Sequence, residues 1–70
     1  MSRKEFGMDL VTLRAKRRKT QWDIHRLSGI YQSRISLIER GYVKPTERER
    51  QAIAQVLDVR ADEIEWDEER

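Results

Sequence analysis

Apolar residues recur at helical spacing along the chain and nowhere alternate with period two, so helices are expected and strands are not. Phe6, Leu10 and Leu13 stand at i, i+4 and i+7, a stripe that predicts a first helix over about 6–18, with Met8 and Val11 off it. Thr20 opens a second helix. In T-Q-W-D its hydroxyl can accept from the Asp23 amide while the Asp23 carboxylate reaches back, a capping box. Ile24, Leu27 and Ser28 form the inner side of this helix, and Gly29 suits a left-handed cap. A third helix runs from about Gln32 to Arg40, with Ile35 and Ile38 inward and Gly41 closing it. Pro45 and Thr46 begin a fourth, where Thr46 and Glu49 repeat the capping box and Ala52, Ile53, Val56 and Leu57 share one side. Asp58, which tolerates the left-handed conformation, stops it. A short fifth helix, about Ala61–Glu65, carries Ile64 and Trp66. The fold class expected is all-α, a compact bundle of five short helices.

The third helix has an unusual outer face. At about 100° per residue, Ser33, Ser36, Leu37 and Arg40 gather opposite the isoleucines, with Gln32 and Arg34 on the flanks. Hydroxyls and amides both donate and accept, as base edges require, and an apolar side chain can meet a thymine methyl. A face of charges alone would read phosphate and not sequence. Ser33 and Ser36 are mediocre helix formers, so local propensity does not account for them. Leu37 reads equally well as a stray exposed apolar residue. Two short helices joined by a glycine-containing turn form the helix-turn-helix arrangement, whose second helix enters the DNA major groove N-terminus first.

Charge sharpens the picture. The chain's net charge is +2, but residues 1–44 sum to +7 and residues 45–70 to −5, with six acids among the last nine residues. Such asymmetry points to a polyanion-facing N-terminal part. Seventy residues make one domain, with a core over 6–66 and an acidic tail at 67–70. Cysteine is absent, so neither disulfides nor thiolate metal sites support the fold. The lone His25 is no basis for a metal site. With one histidine, no cysteine and no glycine-rich phosphate loop, the chain offers nothing that suggests an enzyme, and no cofactor is expected. The opening MSRKEF has charges with no apolar stretch behind it, and no segment is long and apolar enough to span a bilayer, so a cytoplasmic protein without a membrane partner is expected.

The residues F6-G7, L10, L13-R14, T20-Q21, I24, G29, I35-S36, I38-E39-R40-G41, P45, I53-A54, L57, V59 and D62-E63-I64 resemble the DNA-binding domain of the lambda repressor and Cro (XRE-type) family. They fall in its register without a gap over almost the whole chain. The resemblance implies a five-helix domain that binds double-stranded DNA. Gln32 and Ser33 would be the principal base readers, with Ser36 and Leu37 further along the groove. Gln21 would bridge a phosphate and Gln32. Thr20, Arg40 and Lys44 would hold the sugar-phosphate backbone, with Arg34 a further candidate. The function implied is a transcriptional regulator, a repressor on a pseudo-palindromic operator. It would bind as a homodimer whose reading helices lie about 34 Å apart. An antitoxin that binds a toxin and represses its own operon is the alternative, and the acidic end, DEIEWDEER, would then grip a basic protein partner.

The wheel sets Glu39 about 40° from Ile35 and Arg14 about 40° from Leu10, both on core sides. Charges buried there must pair, and the resemblance implies the same Arg14–Glu39 ion pair. Several positions depart from the family pattern. His25 stands where a small alanine is usual, so either the helices separate slightly or the imidazole points outward. Tyr31 takes the place of a capping serine or threonine; its phenol cannot cap its own helix but could meet a phosphate or a sugar. Arg50 replaces a core leucine and Asp58 a glycine. Trp22 should be exposed, as an isolated aromatic or as part of a protein contact, and Trp66 suits the core or a dimer contact. The tail either lowers non-specific affinity or supports the dimer.

Overall fold

A computed structural model of the chain describes residues 8–66. In chain order it contains β1 (Met8–Asp9), α1 (Leu10–Lys16), α2 (Gln21–Ser28), α3 (Gln32–Glu39), α4 (Glu47–Leu57), a 3-10 turn (Ala61–Glu63) and β2 (Ile64–Glu65). The inner faces of the helices meet in one core of Leu10, Leu13, Ile24, Ile35, Ile38, Ile53, Ala54 and Leu57, and Ile64 closes it from β2. Ile30, Val43, Val56, Val59, Ala61 and Trp66 pack around its edge.

Local chemistry sets the helix ends. Thr20 Oγ1 accepts from the Asp23 amide at 3.0 Å, and the Asp23 carboxylate accepts from the Thr20 amide at 2.8 Å. Thr46 and Glu49 make the same reciprocal pair at 3.1 and 2.9 Å. Each box occupies amide groups that the first turn leaves without helical partners. At the other ends, α1, α3 and α4 share one device. A residue in the left-handed region (Arg18, Gly41 or Asp58) lets the next amide reach back into the last turn. The bonds Lys19→Arg14, Tyr42→Leu37 and Val59→Ala54 are each 3.0 Å long, the pattern of a Schellman closure. Arg18 does this at φ 57° without being glycine or asparagine, so its residue type carries no sign of the turn.

Four expectations change. β1 pairs in parallel with β2, Met8 beside Ile64 and Asp9 beside Glu65, although no strands were expected. Two residues are too few to show alternation, and only the closed fold brings these distant segments together. The first helix begins at Leu10 and not near residue 6, because Asp9 is extended and its carboxylate caps the helix by accepting from the Thr12 amide at 3.0 Å. Phe6 and the tail at 67–70 lie outside the described residues. The fifth helix is a single 3-10 turn, so the described residues hold four α-helices. At Ile64 the backbone becomes extended (φ −98°, ψ 131°), and the sheet takes up the groups that another helical turn would use. Within α2, Leu27 was assigned inward but is 54% exposed. It lies about 60° round the wheel from Ile24, and the neighbouring helices cover the other flank, where Gln21 and Ser28 are half-buried.

A bidentate ion pair ties α3 to the start of α4: Arg34 Nε and Nη2 both donate to the Glu49 carboxylate at 2.9 Å. This guanidinium, more than the Thr46 amide, holds the Glu49 carboxyl below its ordinary value of 4.5. Asp23 lies below its ordinary 3.8, chiefly through the Thr20 amide and then Arg26. Both groups therefore favour the folded state in full above pH 4.5 and lose that contribution as the pH falls through their lowered folded values. The melting temperature followed by circular dichroism should be flat with respect to these groups above that pH and drop below it; a rise on acidification would contradict the assignment. Gly29 caps α2 at φ 83° with open space where a Cβ would stand. Gly29→Ala should accordingly cost about 1–2 kcal/mol in denaturant unfolding, from backbone strain and not from a clash.

Candidate nucleic-acid interface

The turn Gly29-Ile30-Tyr31 joins α2 to α3 and brings the N-termini of the two helices together. Gln21 is the first residue of α2 and Gln32 the first of α3, and their side chains meet: Gln32 Nε2 donates to Gln21 Oε1 at 2.5 Å. Gln21 Nε2 in turn donates to Glu39 Oε1 at 2.7 Å. The Glu39 carboxylate also receives Arg14 Nε at 2.6 Å on Oε2 and Arg14 Nη2 at 3.2 Å on Oε1. Arg14 Nη1 donates to the Lys19 carbonyl at 3.1 Å. One continuous polar chain thus runs from α1 through the end of α3 to the start of α2 and back to the start of α3.

Burial gives this chain its weight. The Glu39 side chain is only 5% exposed and that of Arg14 19%. A carboxylate withdrawn from water this far must be met by donors. Three reach it, two from a guanidinium fork that matches its geometry. Arg14 and Glu39, each set on a core side by the helical wheel, meet here as two withdrawn opposite charges should. The bond from Gln21 to Glu39 was not foreseen, because the wheel compares positions within one helix and says nothing of a contact between two.

Ser33 and Leu37 are exposed, and Ser36 half-buried, on the side of α3 away from Ile35 and Ile38. Gln32 is half-buried at the edge of this face. The exposed Arg40 caps the C-terminus of α3, with its guanidinium 6.0 Å from the centre of the Tyr42 ring. Lys44 is exposed on the following loop, and Thr20 is exposed at the start of α2. Thr20 uses its hydroxyl oxygen as the helix cap; as a hydroxyl it also carries a proton to donate. Arg34 stands apart from this group, since both its donor bonds go to Glu49. Glu49 caps α4 and has oxygen capacity to spare for Arg34, and that spare capacity is the signal in the sequence for a second partner.

Tyr31 is 72% exposed and makes no side-chain cap bond to α3. Its ring stacks on His25 at 5.9 Å and 21°, while Trp22, 63% exposed, meets His25 edge-on at 5.5 Å and 67°. The imidazole thus lies half-buried between two surface aromatics, and its Nδ1 has no hydrogen-bond partner among the described residues. At the C-terminal end of the described residues, the Trp66 indole donates to the Ala61 carbonyl at 3.2 Å and Arg50 lies 6.0 Å over its ring. These two positions belong to the packing of α4 on the C-terminal turn.

Among the described residues no group of three or more histidine, cysteine or acidic side chains is placed to hold a metal ion. None of their helices is long and apolar enough to cross a membrane. No curated protein and no solved structure matches the chain. A helix-turn-helix family model matches residues 10–64, from the first core leucine of α1 to the isoleucine of β2. The match includes the polar chain described above and both helices that it joins. The chain belongs to the helix-turn-helix family of the lambda repressor and Cro (XRE) type, a family of DNA-binding transcription regulators.

Proposed function

We propose that the chain is a sequence-specific repressor that binds a pseudo-palindromic operator as a homodimer, with α3 in the major groove. The observation that carries this reading is the outward face of α3, where Ser33, Leu37 and the half-buried Ser36 and Gln32 stand beside one another. Such side chains can exchange hydrogen bonds with base edges and meet thymine methyls. Gln32 and Ser33 read bases, and Ser36 and Leu37 extend the readout along the groove. Thr20, Gln21, Tyr31, Arg40 and Lys44 hold the backbone, and Arg34 joins them if it exchanges Glu49 for a phosphate. The N-terminus of α2, with its amide groups and positive dipole end, suits a phosphate. One domain of this size makes few contacts, so tight specific binding calls for two copies on DNA. Occupying promoter DNA would then exclude polymerase.

A second reading, an antitoxin that holds a toxin as well as its operator, draws on the exposed Trp22 and Tyr31 that flank His25. Co-expression with the product of the adjacent gene separates the two, since an antitoxin co-purifies with its partner and a stand-alone repressor purifies by itself.

Selection of bound duplexes from a random library yields the site and, from half-site spacing, the oligomer. On that site Gln32→Ala or Ser33→Ala should narrow the gap between specific and scrambled DNA by about 1–3 kcal/mol per lost contact. Lys44→Ala and Arg40→Ala should weaken both duplexes alike and lower the slope of log K against log salt by about one. Anisotropy titrations at several salt concentrations measure both. An unchanged sequence preference in Gln32→Ala would remove α3 from the role of reading helix.

A further inference from the structure

We infer that Glu39, its side chain turned away from water, decides which way round the amides of Gln21 and Gln32 sit, and so which hydrogen-bond pattern α3 shows to a base pair. This rests on the reading of Gln32 as a base reader and adds a positioning residue behind it. A side-chain amide has a donor end and an acceptor end of nearly equal shape, so without a constraint it can turn over. Glu39 supplies the constraint. Its carboxylate, held by the Arg14 fork, has only acceptor atoms, and Oε1 stands 2.7 Å from Gln21 Nε2. Gln21 must therefore turn its NH2 inward and its carbonyl outward. That carbonyl can only accept, so Gln32 must present Nε2 to it, as found.

The consequence can be counted atom by atom. Gln32 has two N–H bonds and one carbonyl, and one N–H is committed to Gln21. It has left one N–H and one carbonyl oxygen. Adenine offers N7 as acceptor and N6–H2 as donor in the major groove, which matches that remainder. Guanine offers two acceptors, N7 and O6, and would require both N–H bonds of Gln32. The relay from Glu39 thus favours adenine over guanine at the base pair that Gln32 meets. Replacing the carboxylate with an amide removes the one-way character of the chain, because an amide can donate to Gln21 as well as accept from it.

The test uses the full chain and the duplex recovered from a random-sequence library. Gln32→Ala first identifies the base pair that Gln32 reads, as the position whose preference it flattens. Four duplexes differing only at that pair are then titrated with the wild-type protein, Glu39→Gln and Gln21→Met, each checked for folding by thermal melting. Gln21→Met leaves the Arg14–Glu39 pair intact, so it serves if Glu39→Gln does not fold. The wild type should prefer adenine to guanine there by about tenfold or more, within the range of one bidentate contact. Both variants should bring that ratio down to about threefold or less while preferences at the other positions persist. If the ratio survives in the folded variants, or if Glu39→Gln weakens all duplexes alike, the positioning role is wrong while α3 remains the reading helix. If Gln32→Ala flattens no position, the reading of Gln32 itself fails first.

Discussion

The partly buried ion pair between Arg14 and Glu39 is the interaction on which the arrangement of the helix-turn-helix depends. Glu39 is the last residue of α3, and its carboxylate is withdrawn from water, where an unmatched charge could not remain. Removing one partner of a fully dry pair costs about 3–5 kcal/mol; with Arg14 still 19% exposed the cost here is smaller, yet a large part of what a domain of this size holds in reserve. The pair has a second effect that apolar packing could not reproduce. Isoleucines at 35 and 38 hold α3 against the core but leave its rotation and axial position soft, whereas a two-pronged guanidinium–carboxylate contact has one good geometry. The end of α3 is set by α1 in this way.

The other flank of α3 is held by different means. Arg34 meets Glu49 at the first turn of α4, and Glu49 also caps that turn. One carboxylate thus starts α4 and secures α3. With Glu39 on one side and Arg34 on the other, the helix is fixed along both edges and leaves only its outer face to water. That face is uncharged along most of its length, with Arg40 at its end. The division of labour is physical: charges that are tied inside the protein define position, and neutral groups that face outward are free to exchange hydrogen bonds.

Much of this was legible in the sequence, for reasons that can be named. Capping boxes at Thr20 and Thr46, the left-handed positions at Gly29, Gly41 and Asp58, and the inward stripe through Ile24, Ile35, Ile38, Ile53 and Leu57 are all local or periodic features. They depend on neighbours no more than a turn away, and the chain carries them as spacing. The wheel also put Arg14 and Glu39 on core sides, and two buried opposite charges in one small core have few alternatives to meeting each other.

Tertiary structure alone decided the rest. The sheet between Met8–Asp9 and Ile64–Glu65 joins segments from opposite ends of the domain; two residues on each side leave no periodic trace. The exposure of Leu27 followed from which flank of α2 its neighbours cover. The partner of Arg34 and the bond from Gln21 to Glu39 depend on distances between helices, and spacing along one helix contains no such distance. The sequence by itself determined which elements form and which faces turn inward, because backbone geometry imposes those from nearby residues. Which polar atoms meet across the helices waited on the packed core, since only the closed bundle brings them within hydrogen-bond reach.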